Sequence, residues 1–256
     1  MRIVRYLQGS QPSFGELEGE NILPLQGSLE NLTRVKGGSP VPLRTTRLLA
    51  PTAPSKIIAI GPGYKVHLQG GPALERPYYW LKPSTAVLDP EGEIVLPPNL
   101  TVNHESEIAI VIARTAKHIA PQDAGRYILG YTCCNDVSAG DMSDRAAYMQ
   151  SQLFLDGKIF DTFAPLGPLI VTDLDTSNLR VQCRVNGRIR QDHRTSDKLF
   201  EYDKLVSMIS HVLTLLPGDV ITTGSPPGVS SIVPGDTIEI EVEGIGILRN
   251  RALAGH

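Results

Sequence analysis

Apolar residues in this chain come in short runs broken by Gly and Pro, the pattern of strands joined by turns rather than of long helices. Arg2 to Tyr6, Phe14 to Leu17 and Ile22-Leu23-Pro24-Leu25 predict three short strands at the start. Residues 39 to 54 carry Pro40, Pro42, Pro51 and Pro54 with little periodicity, as a linker or covering arm would. Further on, Ile108-Ala109-Ile110-Val111-Ile112 is apolar on both faces, the mark of a strand entering a core. Tyr127 to Cys134 is a second run of that kind. Val181 to Val185 alternates, Asn186-Gly187 offers a two-residue hairpin turn, and Arg188-Ile189-Arg190 returns. Thr237 to Val242 and Ile245 to Asn250 predict a final pair of strands. Helical spacing is convincing once, from Phe200 to Leu216, with Leu205, Met208, Ile209, Val212 and Leu216 as the apolar stripe and Pro217-Gly218 as the stop. The chain therefore reads as mainly β (α+β) with few helices. Residues 1–50 form a small N-terminal strand-rich domain and Pro-rich linker, and 51–256 the larger domain.

One polar feature interrupts the apolar pattern. His104-Glu105-Ser106-Glu107 runs directly into the buried strand at Ile108. Alternation along a strand sends Glu105 and Glu107 to the same side. Like charges at the mouth of a buried strand repel and lose hydration, so something positive must offset them. Asp136, at the end of the second apolar run, adds a third carboxylate. Two solvated glutamates at an exposed strand start would explain the pair by itself. Three carboxylates with open positions instead suit Mg²⁺, a hard cation that keeps water or substrate among its ligands.

Composition narrows the class. With 256 residues and 41% hydrophobic content the chain can bury a sizeable core, and a net charge of -3 without a Lys/Arg run leaves no footprint for nucleic acid. Cys133, Cys134 and Cys183 make no disulfide framework. The apolar neighbours of Cys133 also argue against a nucleophilic thiolate there. The first residues lack an apolar signal core and no stretch is long enough to cross a bilayer, so the expectation is a cytoplasmic protein without membrane partners. Gly61-Pro62-Gly63 follows a strand, but the remaining glycines and the helix of a nucleotide loop are missing.

Several segments, in order, carry a resemblance. They are Lys56-Ile57-Ile58-Ala59-Ile60-Gly61 with Tyr64 and His67, then Trp80-Leu81-Lys82-Pro83-Ser84-Thr85-Ala86, then His104-Glu105-Ser106-Glu107-Ile108. Asn135-Asp136-Val137-Ser138-Ala139, Gly157 to Pro168, Thr223-Gly224-Ser225-Pro226-Pro227-Gly228-Val229 and Pro234-Gly235-Asp236 follow. In these the chain, over about residues 55 to 252, resembles the fumarylacetoacetate hydrolase family, in particular its acylpyruvate-hydrolase and oxaloacetate-decarboxylase branch. The resemblance implies a mixed β-roll around a divalent metal, in a homodimer, with the first fifty residues as the family's small N-terminal domain. It implies Glu105, Glu107 and Asp136 as metal ligands, the same residues the carboxylate spacing picks out. Mg²⁺ is the expected ion, with Mn²⁺ or Ca²⁺ as alternatives. Lys158 matches a family lysine beside the metal. Ser225 stands where the family commonly has Thr, in a turn able to bind a substrate carboxylate. His67 matches the family's general base, and Tyr64 lies behind the first matched strand.

The implied activity is cleavage of a C–C bond in a 2-oxo acid or 1,3-dicarbonyl compound, by acylpyruvate- or fumarylpyruvate-type hydrolysis. The same site would serve an oxo-acid decarboxylase or tautomerase, or a non-catalytic ligand-binding member. Departures from the family fall on the substrate side. The glutamate that partners the family histidine is Gly70 here, with Glu75 nearby. The family's Arg, Asp, variable residue, Gln run is Gly140-Asp141-Met142-Ser143, with Arg145 as the nearest guanidinium able to hold a substrate acid group. Gly61-Pro62-Gly63-Tyr64 replaces the usual Gly-x-Asn-Tyr.

Overall fold

The computed structural model describes residues 1–72, 74–141 and 150–255. At the centre of its large sheet Ser106–Ile112 lies between Ile128–Asn135 and Val220–Thr222, antiparallel to both. Lys56–Gly61 follows Val220–Thr222 in parallel, and Tyr78–Pro83 forms the next strand. Every residue of Ser106–Ile112 is buried, the polar Ser106 and Glu107 together with the apolar Ile108–Ile112 that suits the middle of a covered sheet.

The two faces of that strand serve two cores. Ile108, Ile110 and Ile112 join a cluster with Val181, Cys183, Ile238, Ile240 and Leu248 from a five-stranded sheet. Ala109 and Val111 pack on the other face with Ile57, Ala86, Ala164 and Leu166. This second cluster is enclosed because the large sheet curls. Val87–Leu88, shortly after the Tyr78–Pro83 strand, pairs with Ala164–Pro165 on the far side of the sheet. The result is the mixed roll the resemblance implied, with few helices.

The Arg2–Gln8, Gln11–Glu18 and Asn21–Gln26 strands form an antiparallel meander. It joins the large sheet where Arg2 and Ile3 pair with Val171 and Ile170. The hairpin read at Asn186-Gly187 is present, and both turn residues have positive φ, as the tight two-residue turn demands. The helix spans Tyr202–Val212 and ends five residues before the Pro217-Gly218 stop, because Leu213 is already extended. Its buried stripe is Leu205, Val206 and Ile209 with Ser207 and Ser210, whereas Val212 and Leu216 are exposed. Ser207 and Ser210 hide in that stripe because their hydroxyls bond the Ile119 and Ser207 carbonyls, which hydropathy does not register.

What positions the candidate site is a small three-stranded sheet of Ser138–Ala139, Val102–His104 and Ser230–Ile232. Each of these continues, through a corner, a strand of the large sheet: Ile128–Asn135, Ser106–Ile112 and Val220–Thr222 in the same order. Three segments thus cross side by side from one sheet to the other. Glu105 is the corner residue of the middle crossing, Asp136 and Val137 form the corner of the first, and residues 223–229 make the turn of the third. Backbone groups freed at such corners need other partners, and polar side chains gather there.

Candidate metal and substrate site

The acids come together at these crossings. Ligand-capable oxygens of Glu105, Glu107 and Asp136 all lie within 4.8 Å of one another, the only such group of three or more metal-ligating side chains among the described residues. Glu105 is held by its neighbours: its amide N–H donates to Asn135 Oδ1 at 2.9 Å, and its carbonyl accepts the Asp136 amide at 2.9 Å. Ser138 Oγ donates to Glu105 Oε1 at 2.6 Å. Glu107 points from the central strand with Gly224 N–H on Oε2 at 2.6 Å, while its buried Oε1 has no hydrogen-bond partner among the described residues. Burial first, then the Asp136 and Glu105 charges, push the Glu107 carboxyl well above the ordinary range. A buried carboxylate oxygen without a partner among the described residues, on a residue grouped with two further carboxylates, fits a cation.

Two lysines face the same acids. Lys158 Nζ reaches Glu105 Oε1 at 2.5 Å and Asp136 Oδ2 at 2.9 Å, and sits 4.9 Å from the centre of the Trp80 ring. Burial works against its charge, but Asp136 and Glu105 outweigh it and hold the ammonium above its usual range. Lys82, with no exposed surface at all, donates to Asp136 Oδ1 at 2.5 Å and to the Val137 carbonyl at 2.9 Å. Complete burial draws its pKa down, with Asp136 pulling the other way. Asp136 is itself kept below the carboxylate range, since the two lysines overcome its burial. Lys82 escaped the sequence reading because a lone lysine on an edge strand reads as a solvated one. The alternation inverts here, leaving Leu81 half exposed and Lys82 inside the roll.

The third crossing carries the turn that faces the acids. Gly224, with φ +87°, packs on Gly63 so closely that a Cβ on it would meet Gly63 Cα at 2.5 Å. Ser225 Oγ accepts Gln191 Nε2 at 2.7 Å. The Ser225 carbonyl meets His67 Nε2 at 3.0 Å. A carbonyl only accepts, so Nε2 carries the hydrogen and Nδ1 is the acceptor nitrogen of the neutral ring. Tyr64 is buried, its hydroxyl pKa raised by burial and then by the Glu107 and Asp197 charges. Glu107, Gly224, Ser225, His67 and Tyr64 are thereby linked around one turn.

Arg145 and Ser143 lie outside the described residues. Gly70 has φ +81° and open space where a Cβ would stand, and Glu75 is exposed. Gly140 is used structurally, its N–H on Thr101 O and its carbonyl on Asn103 Nδ2. Gln191 and His104 were not read from the sequence as part of the site. His104 was visible as the first residue of the acidic motif, but nothing in a strand repeat marks Gln191.

Residues 56–252 match the fumarylacetoacetate (FAA) hydrolase C-terminal family, and residues 1–51 match the Rv2993c-like N-terminal family. The chain belongs to the fumarylacetoacetate hydrolase family. It is similar to a family structure from Mycobacterium smegmatis, a 5-carboxymethyl-2-hydroxymuconate delta-isomerase, at 42% identity and a TM-score of 0.90 over all of both chains. The maleylpyruvate hydrolase of Sphingobium sp. SYK-6, in complex with manganese(II) and pyruvate, is 29% identical with a TM-score of 0.83, again over both whole chains. Among sequence relatives, the Homo sapiens mitochondrial oxaloacetate tautomerase FAHD2A is 37% identical over 227 residues, 83% of this chain and 71% of its own. Family members thus named are isomerase, hydrolase and tautomerase. Among the described residues no helix is long and apolar enough to cross a membrane.

Proposed function

We propose that this protein is a divalent-metal-dependent enzyme that enolises a 2-oxo acid or 1,3-dicarbonyl compound, with Glu105, Glu107 and Asp136 as the metal ligands and Mg²⁺ or Mn²⁺ as the ion. The observation that carries this reading is the grouping of Glu105, Glu107 and Asp136, whose ligand-capable oxygens lie within 4.8 Å of one another, with a buried Glu107 Oε1 that has no hydrogen-bond partner among the described residues. When bound, the cation draws electron density from a carbonyl, which is what enolisation needs. The remaining work falls to the chain. Three carboxylates against two lysines leave one formal negative charge, and a divalent cation turns that into one positive, which favours an anionic substrate. Lys158 and Lys82 supply that balance. Ser225 and its turn hold the substrate carboxylate, Tyr64 walls the turn, and His67 Nδ1 takes up or returns a proton.

Keto–enol isomerisation is the outcome the site supports best. By family resemblance hydrolysis draws on a glutamate three residues after the histidine, and that position is Gly70 here. The similarity to an oxaloacetate tautomerase and to a delta-isomerase supports the same outcome. C–C hydrolysis is the second reading, supported by the likeness to a maleylpyruvate hydrolase. We further propose a homodimer, as family resemblance implies, and a cytoplasmic location, as the opening residues lead one to expect.

The test is incubation with oxaloacetate and with acylpyruvates in D₂O, with Mg²⁺, Mn²⁺ or EDTA, read by NMR and mass spectrometry. Metal-dependent exchange at the carbon beside the oxo group, with the carbon skeleton intact, is expected for isomerisation. Two shorter acids would mean hydrolysis, and release of CO₂ decarboxylation. Glu107→Ala should lose turnover by a factor of about 100 to 1,000, the scale of removing preorganised electrostatic stabilisation. Full activity in that variant would end the metal assignment.

A further inference from the structure

Gln191 lies in the outer strand Arg188–Arg194 of the five-stranded sheet, yet its side chain is buried and spends every hydrogen-bonding capacity it has. Its Oε1 accepts from the Ser106 N–H at 3.0 Å and from His104 Nδ1 at 3.0 Å. Its Nε2 donates to the Pro226 carbonyl at 2.6 Å and to Ser225 Oγ at 2.7 Å. Backbone groups fix the orientation of this amide at both ends. The Ser106 N–H can only donate, so Oε1 must face it, and the Pro226 carbonyl can only accept, so Nε2 must face that. No flip of the amide satisfies both. The same logic sets His104, whose Nδ1 carries the hydrogen while its Nε2 meets Ser230 Oγ at 2.9 Å.

This orientation fixes the polarity of Ser225. Its oxygen is already accepting a hydrogen bond, so the hydroxyl is left with a hydrogen to give. Its one protein acceptor among the described residues is the Pro226 carbonyl at 3.3 Å, a long contact to an oxygen already occupied by Gln191 at 2.6 Å. Ser225 is preceded by Gly224, whose N–H holds Glu107, and its own carbonyl is held by His67. We propose that Gln191 is a positioning residue that turns the Ser225 hydroxyl into a hydrogen-bond donor for the anionic oxygen that this turn holds. The inference rests on the reading above that the site takes a 2-oxo acid next to a divalent cation. It adds a bridge between the metal-bearing segment, through Ser106, and the substrate-bearing turn, through Ser225, carried by a residue from the other sheet.

Oxalate, a planar dianion resembling an enolised 2-oxo acid, is the probe, titrated calorimetrically into the full-length protein saturated with Mn²⁺, alongside Mn²⁺ titrations without oxalate. Ser225→Ala and Gln191→Glu should each weaken oxalate about tenfold or more, as loss of one hydrogen bond to a charged group does. Mn²⁺ affinity should stay within about threefold. The Gln191→Glu carboxylate would accept the Ser225 hydrogen and withdraw it from the ligand, and the double variant of the uncharged Gln191→Met with Ser225→Ala should bind oxalate no more weakly than Ser225→Ala alone. Ser225→Thr, which keeps the hydroxyl, should bind like the wild type. Gln191→Met removes the donor without adding charge and stands in if Gln191→Glu does not fold. A Gln191 effect that persists undiminished in the Ser225→Ala background, or that reduces Mn²⁺ affinity as much as oxalate affinity, overturns the inference. A wild-type protein that binds Mn²⁺ but no oxalate overturns the 2-oxo acid reading instead.

Discussion

At Asp136 each carboxylate oxygen receives a lysine, Lys82 on Oδ1 and Lys158 on Oδ2. A buried ion pair broken from one side leaves an uncompensated charge, at roughly 3–5 kcal/mol. Because Asp136 keeps Lys158, Lys82→Met should cost about 3 kcal/mol of stability without metal, the lower end of that range. Saturating Mn²⁺ should recover more in the variant than in the wild type, since the ion then meets one ammonium fewer. Urea unfolding with and without Mn²⁺ measures both, and an equal gain in the two proteins would contradict the charge balance argued here. His104 gives a pH prediction. Burial, opposed by the Gln191 hydrogen bond, draws its pKa from 6.5 down to about 4. The folded state therefore favours the neutral ring. Its contribution is complete above pH 6.5, declines as pH falls from there towards 4, and is level below that, a loss of about 3 kcal/mol. In EDTA, wild-type stability should show that decline, and His104→Gln should lack the His104 share of it.

Among the elements, the turn after Val220–Thr222 bears the heaviest steric demand. Gly224 needs φ +87° and backbone contact with Gly63, whose own Cβ would meet the Thr223 carbonyl at 2.1 Å. Neither contact is with the end of a flexible side chain, so the backbone itself has to yield. Gly224→Ala should cost at least about 2 kcal/mol. It should also weaken Mn²⁺ binding, because the Gly224 N–H that holds Glu107 moves with the turn. A normal melting temperature with normal metal affinity would mean the turn is more compliant than its contacts indicate. The strands around it were readable because apolar runs and Asn-Gly turns act locally. The helix end was misplaced because Leu213 leaves the helix to let Leu215 pair with Ala116, a tertiary demand no periodicity carries.

For the molecule as a whole, a cation bound only to the folded state adds stability. At a hundredfold excess over its Kd the gain is about 2.7 kcal/mol, a rise in Tm of roughly 5–10 °C for a chain of this length. Removal by EDTA should reverse it. Since Glu107 is held above the ordinary carboxylate range without metal, binding must release its proton. Apparent affinity should therefore climb with pH, by up to about tenfold per unit, until Glu107 ionises unaided. Calorimetry in buffers of different ionisation enthalpy would count the proton, and a pH-independent affinity between 5 and 8 would rule this out.

The sequence by itself determined the strand content, the doubly buried Ile108–Ile112 run and the placing of Glu105 and Glu107 on one side of the chain at its mouth. Those features follow from side-chain alternation and from the cost of burying like charge, both of which act within a few residues. The ordered motifs with Asp136, Lys158, His67, Tyr64 and Ser225 were legible through their resemblance to the family. Only the tertiary structure decided what surrounds them. Curling of the large sheet brings Lys82 from an edge strand to Asp136, and the five-stranded sheet lends Gln191 to Ser225. Both depend on which strands meet across the fold, and pairing over more than thirty residues of sequence leaves no local trace in the pattern of apolar and polar positions.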